Sequence, residues 1–264
     1  MLLSTVMNMA GPIAAFIVIF SVVVVVHEAG HYLAAKWCRV PISEFSLGFP
    51  GTLVVMTLGR YRETAFTIRL LPFGGFVRFG NAGYPEDDGA VFDGLLPSHK
   101  AVILVAGSLF NLFTGFLLLV AALMAVRGLG LIDSSKAALE LMGQVVSETF
   151  SALVYLNFHG VIGPVGAAVV ASEVMKQGLW PMVGFAGLMS FSVGIMNLLP
   201  VPGFDGWHVV LAGIEAVRGK PFNGRFHALA GAAGFVVIVV LMVAVTFLDV
   251  TSIHDVINIT CTTR

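Results

Sequence analysis

The sequence predicts an α-helical polytopic membrane protein, one domain over residues 1–264, with four transmembrane helices. Three observations carry this. Of the 264 residues, 58% are hydrophobic and only 11% charged, where soluble domains carry about 25% charge. The mean hydropathy is +0.95. Four stretches, 11–36, 101–126, 181–217 and 226–248, reach the roughly 20 apolar residues needed to cross a hydrocarbon core. The net charge of −1 leaves no basic field for a nucleic acid. Two cysteines, Cys38 and Cys261, are too few for a disulfide framework or a cysteine zinc site.

The first span follows MLLSTVMNMAGP, which has no Lys or Arg. Secretory signals begin with a basic region, so this segment is expected to be retained. Residues 39–100 form a polar loop. Within it TAFTIRLLPFGGFVRFG reads as two short strands around a Pro-Phe-Gly-Gly turn, and Asn81 to Gly94 as an acidic, glycine-rich loop. The second span holds no charge. Phe150 to Ala171 is uncharged and long enough to span, but contains Asn157, His159, Gly160, Gly163 and Pro164. Composition leaves a fifth span and a surface or re-entrant helix both open.

Charge favours four spans. Lys36, Arg39, Arg60, Arg62, Arg69, Arg78 and Lys100 flank or fill the first loop, and Lys and Arg concentrate on the cytoplasmic side. With four spans the loop holding Arg218, Lys220 and Arg225 is also inside, which places ten of the 14 basic residues there. Both termini are then outside.

The chemistry sits in the first span. HEAGH, His27 to His31, is an H-E-x-x-H pattern. On a helix residues i and i+4 share a face, so both imidazoles reach one metal ion with Glu28 beside them. Zinc suits nitrogen ligands and keeps one position open for water when catalytic. The glutamate takes a proton from that water as it attacks a carbonyl. The bland reading is a solvated helix face, but ionisable groups inside a membrane span are functional by default.

A third ligand is needed at similar depth. NLLPVPGFDGWH, Asn197 to His208, offers one. Pro200 and Pro202 break a helix, Gly203 and Gly206 loosen it further, and irregular backbone at membrane depth is tolerated only where it is buried in protein or lines a cavity. Asp205 and His208 are rival ligands. Asp205 is preferred on charge, because Zn²⁺ with one carboxylate and one hydroxide is neutral. Depth agrees: on four spans Asp205 and the HEAGH histidines all lie towards the inner end.

The two motifs together resemble the site-2 protease family of intramembrane zinc metalloproteases, whose pattern is H-E-x-x-H followed in a later span by N-x-x-P-x-P-x-x-D-G. This chain has HEAGH and NLLPVPGFDG. AGSLFN, Ala106 to Asn111, is similar to the family's small-residue and asparagine motif, LPFGGFVRF to its membrane-associated β-hairpin, and GPVG, Gly163 to Gly166, to a Gly-Pro element of the bacterial envelope-stress branch. One departure is plain: residues 127–140 leave no room for the PDZ domains of that branch, and no nucleotide-binding module is evident.

The resemblance implies His27, His31 and Asp205 as zinc ligands and Glu28 as general base. It implies substrate-holding or carbonyl-polarising roles for Asn197 and, more weakly, Asn111, with Pro200, Pro202 and Gly206 shaping the cavity. It further implies regulated intramembrane proteolysis of single-span membrane proteins, such as an anti-sigma factor or a signal-peptide remnant. The setting would be a bacterial inner membrane, with the site towards the cytoplasm. Two rivals stand beside it. A metal transporter would need a polar path across the membrane, which IAAFIVIFSVVVVV and TGFLLLVAALMAV do not offer, and it leaves Glu28 without a role. A catalytically silent membrane chaperone of the same fold would not need an intact motif set.

Overall fold

The computed structural model describes residues 2–71, 74–80, 91–92, 94–155, 162–220, 222 and 224–262. In chain order its elements are α1 (Leu2–Trp37), β1 (Ile42–Leu47), β2 (Val54–Tyr61), β3 (Thr64–Arg69), β4 (Gly75–Phe79), α2 (Pro97–Arg127), α3 (Leu131–Tyr155), α4 (Pro164–Gln177), α5 (Leu179–Leu198), α6 (Asp205–Arg218) and α7 (Gly224–Thr262). Four of these hold segments long and apolar enough to cross a membrane: Ile13–Trp37 in α1, all of α2, all of α5, and Leu229–Thr251 in α7.

The third expected span, 181–217, is two helices. α5 stops at Leu198 and α6 starts at Asp205. Hydropathy runs through this point, but the backbone cannot. Leu199, the residue before Pro200, takes φ −66° and ψ 140°, the extended conformation a following proline imposes. Gly203 has φ +100°, open to glycine and strained for other residues. The stretch Phe150 to Ala171 is likewise interrupted: α3 ends at Tyr155, residues 162–163 are not helical, and α4 begins at Pro164. Residues 156–161 lie outside the described ones, as do 72–73 of the expected turn and 81–90 and 93 of the acidic loop.

Residues 42–79 build a four-stranded sheet in the order β2-β3-β1-β4, with β1 and β3 parallel and the other pairs antiparallel. The strands expected on either side of the Pro-Phe-Gly-Gly turn both form, as β3 and β4. They do not pair with each other, because β1 lies between them. The hairpin of this segment is β2–β3. Glu44 stabilises the centre of the sheet from β1. It accepts from Arg69 at 2.8 and 3.1 Å and from the Thr67 hydroxyl at 2.6 Å, so a buried charge is paired and hydrogen-bonded. β4 is left as an edge.

Two features fix the helices around the site. α2 and α5 share the most extensive helix contact, made possible by small residues. A Cβ at Gly115 would come 2.8 Å from the Gly187 carbonyl, and one at Gly194 would come 3.0 Å from the Ser108 carbonyl. Small residues at such contacts let membrane helices approach closely enough to gain dispersion energy. In the first turn of α2, the buried Lys100 ammonium donates to Glu215 of α6 at 2.9 Å. The other Glu215 oxygen accepts the Phe222 N–H at 2.9 Å. α6, which begins with Asp205, is thereby tied to α2.

Candidate metal centre

α1 carries His27 and His31 one turn apart on the face that meets α2. Gly30 and Gly107 let the two helices close on each other: a Cβ at Gly30 would overlap the Ala106 backbone, and one at Gly107 would overlap the His31 imidazole. The break after α5 returns the chain to the same place. Phe204 is extended (φ −104°, ψ 162°) and α6 then begins with Asp205, so the carboxyl projects from a helix start rather than from a continuing span. Gly206 packs against the Leu198 and Leu199 carbonyls, leaving no space for a side chain. Pro200 and Pro202 therefore act by ending α5, and Gly206 by letting α6 fold back against that end.

Three side-chain atoms converge as a result. His27 Nε2 lies 2.9 Å from Asp205 Oδ2, His31 Nε2 lies 3.2 Å from the same oxygen, and the two Nε2 atoms are 3.1 Å apart. Both histidines are buried. Among the described residues, His27, His31 and Asp205 form a group able to hold one metal ion, with ligand atoms all within 4.8 Å of one another. His208, the rival to Asp205, is not in that group. The donor set fits zinc: two imidazole nitrogens and one carboxylate oxygen match a catalytic site that keeps a position open. Each far ring nitrogen has a neighbour at which such a site's outer support could act. His31 Nδ1 donates to the Ile103 carbonyl at 2.7 Å, and His27 Nδ1 faces the Asn111 amide at 3.4 Å.

Beside this group lies a cavity of about 410 Å³. Glu28 lines it but is not in the ligand group. Asn197, in the last turn of α5, lines it too, and so does the β4 edge from Gly75 to Val77. Gly75 rests on α1, where a Cβ would come within 2.9 Å of Glu28. The remaining walls are apolar, including Phe20, Val24, Leu104 and Val193. Asn111 is placed elsewhere: fully buried on α2, it meets His27 from behind and is not among the cavity's lining residues. Sequence reasoning passed over Ser190, one of two serines on an apolar helix, which contacts Asn111 from α5.

Comparison with known proteins identifies the family. The chain is similar to a putative zinc metalloprotease of Agrobacterium fabrum, 24% identical over 93% of this chain and 97% of that protein. It is 34% identical over 119 residues to the regulator of sigma-W protease RasP of Bacillus subtilis, which is 45% of this chain and 27% of that protein. It is 38% identical over 88 residues to the zinc metalloprotease RasP of Geobacillus kaustophilus, which is 33% of this chain and 21% of that protein. The profile of Peptidase family M50 matches residues 15–241, from within α1 to within α7 and across the whole ligand group, and the chain belongs to that family.

Proposed function

We propose that this integral-membrane zinc metalloprotease hydrolyses peptide bonds inside the bilayer, in transmembrane segments of single-span membrane proteins. The observation that carries the reading is the convergence of His27, His31 and Asp205 from a span and a broken helix onto one buried point, with Glu28 on the adjoining cavity wall. Zinc held there supplies a Lewis acid that polarises the scissile carbonyl and makes water more acidic. Glu28 accepts the proton that water gives up as its oxygen bonds to the carbonyl carbon. It then delivers that proton to the amide nitrogen as the C–N bond breaks. Asn197 stands on the cavity wall as a hydrogen-bond donor for the substrate carbonyl.

A substrate helix hides its carbonyls in its own hydrogen bonds, so it must be opened before attack. The β4 edge supports an answer. Its unpaired backbone groups can take up an extended peptide as an added strand, next to Glu28. The apolar walls suit the side chains of a membrane segment. The resemblance points to an anti-sigma factor or a signal-peptide remnant as the particular substrate.

The orientation belongs to the same proposal: four spans in a bacterial inner membrane, both termini outside, and the centre towards the cytoplasm. Of the loop cations behind it, Arg69 and Lys100 are committed to Glu44 and Glu215. The orientation rule counts Lys and Arg rather than net charge, so both still weigh beside Lys36, Arg39, Arg60, Arg62 and Arg78.

The test uses the purified full chain, assayed for zinc content and for cleavage of a panel of single-span substrates. Glu28→Gln is expected to keep its zinc and lose cleavage by at least about a hundredfold, the scale of a lost general base. Undiminished cleavage by that variant would remove Glu28 from the mechanism, and absence of zinc from the wild type would remove the metal centre.

A further inference from the structure

Asn111 and Ser190 form a buried polar pair between two apolar helices. Asn111 is wholly buried and Ser190 is 1% exposed. They sit in the middle of the close-packed α2–α5 contact, with Gly187 and Gly194 flanking Ser190 and Ser108 and Gly115 flanking Asn111. A polar pair in such a place is costly unless each group is satisfied. Packing alone would be served by apolar side chains.

The geometry identifies what the pair does. The Ser190 hydroxyl lies 3.0 Å from the Asn111 backbone carbonyl, to which it donates, and 3.3 Å from the end of the Asn111 side-chain amide. The other amide end lies 3.4 Å from His27 Nδ1. If His27 Nε2 gives its lone pair to a metal, the neutral ring carries its proton on Nδ1. The structure sets the amide NH₂ towards that ring, which would then oppose donor to donor. The two amide ends occupy the same space, so turning the group by 180° changes no packing. The oxygen then accepts the His27 Nδ1–H, and the NH₂ donates to the Ser190 oxygen, whose own hydrogen is already committed to the backbone. In this setting the His27 Nδ1–H, the Ser190 hydroxyl and one amide N–H each meet an acceptor. It also matches His31, whose Nδ1–H donates to the Ile103 carbonyl at 2.7 Å.

We propose that Asn111, held by Ser190, is a positioning residue that accepts the His27 Nδ1–H and so fixes the tautomer and aim of a zinc ligand from across the α2–α5 contact. This rests on the metal-centre reading above. It moves Asn111 from the substrate to the ligand's outer support, and it gives α5 a role in metal binding that no α5 ligand would supply. Losing such outer partners typically weakens metal affinity ten- to a hundredfold.

The experiment measures zinc affinity by chelator competition on the full-length purified protein, for the wild type, Asn111→Leu, Asn111→Asp and Ser190→Ala. Asn111→Leu fills the same space without an acceptor, and Asn111→Asp keeps an acceptor. The expected order is wild type, then Asn111→Asp, then Asn111→Leu, with Leu about ten- to a hundredfold below wild type and Ser190→Ala a few-fold below it. A packing role predicts the reverse for the two variants, since leucine suits an apolar contact better than a carboxylate. Wild-type affinity in Asn111→Leu, or affinity in Asn111→Asp no better than in Asn111→Leu, overturns the proposal. Should Asn111→Asp fail to insert, cadmium-113-loaded protein with nitrogen-15 histidine decides. Metal coupling at His27 Nε2 with the proton on Nδ1 supports the assignment, and coupling at Nδ1 overturns it. A wild type that binds no zinc fails the metal-centre reading itself, and the proposal falls with it. Zinc-bound wild type with the reversed order fails the proposal alone.

Discussion

α2 and α7 are both long apolar helices, and α7 has the more apolar core stretch. Yet 33% of that window is buried in α2 and only 6% in α7. In lipid, apolar surface does not drive helices together, because acyl chains are as good a neighbour as leucine. Close contact comes from small residues that let backbones approach and from polar groups that bond across the gap. α2 has a face of them, Gly107, Ser108, Asn111 and Gly115, and meets α1 and α5 along it. Among the described residues, two contacts of this kind pin α7. Gly234 lies against Pro202 and Gly203 beside the break that precedes Asp205, and Asp249 accepts from the Gly163 and Gly166 N–H groups at 3.1 and 2.8 Å. Side-chain size and polarity, not hydropathy, separate the helix that builds the centre from the one at its margin.

The sharpest way to break this comparison is at Gly107. A valine there would push its side chain into the His31 and His27 imidazoles. Because displacement of about 1 Å at a reacting centre can cost on the order of a hundredfold in rate, Gly107→Val is expected to lose at least that in cleavage and most of its zinc, while still inserting in the membrane. Zinc analysis beside the cleavage assay checks it. A variant with normal zinc and normal turnover would mean that α2 does not set the ligand positions.

The same contrast explains what was legible in the sequence. Hydropathy locates all four spanning segments, and HEAGH and NLLPVPGFDG stand out because charge and proline are conspicuous in apolar surroundings. The end of the third segment is misjudged because hydropathy averages across Pro200 and Pro202, although the prolines themselves announce a break. The strand pairing is not legible. β3 and β4 are near neighbours in the chain, but β1 satisfies both, and only long-range geometry selects that order. Arg69 and Lys100 count as topology signals in the sequence yet are bound to buried carboxylates. Ser190 gives no signal, because the two serines of LMSFSVG look like tolerated polarity until the partner of Ser190 across the α2–α5 contact is known.

At the second pin of α7 the expected effect is smaller and of another kind. Asp249 satisfies two N–H groups at the start of α4, where a helix has no carbonyls of its own to offer. Asp249→Ala removes that acceptor, and a buried N–H left unsatisfied costs about 1–3 kcal/mol. The variant is expected to have a lower Tm in detergent, with wild-type zinc content, because the loss lies in the α4–α7 contact rather than at a ligand. Zinc loss matching that of Gly107→Val would show that α7 holds the centre as firmly as α2 does, and the division between the two helices would go.

The smallest effect tests the margin itself. Val240 lies on α7 between the two pins and is 60% exposed. If that face meets only lipid, shortening the side chain leaves no fixed cavity, because acyl chains flow in where packed neighbours could not. The cavity penalty that makes a core truncation costly is then absent, and exposed substitutions of this sort stay within about 0.5 kcal/mol. Val240→Ala is therefore expected to match the wild type in Tm, zinc content and cleavage rate. A drop in Tm comparable to that of Asp249→Ala would mean that a protein surface, and not lipid, covers this face of α7. Sparse burial in the single chain would then mark an interface, and hydropathy without small residues would no longer identify the margin of the fold.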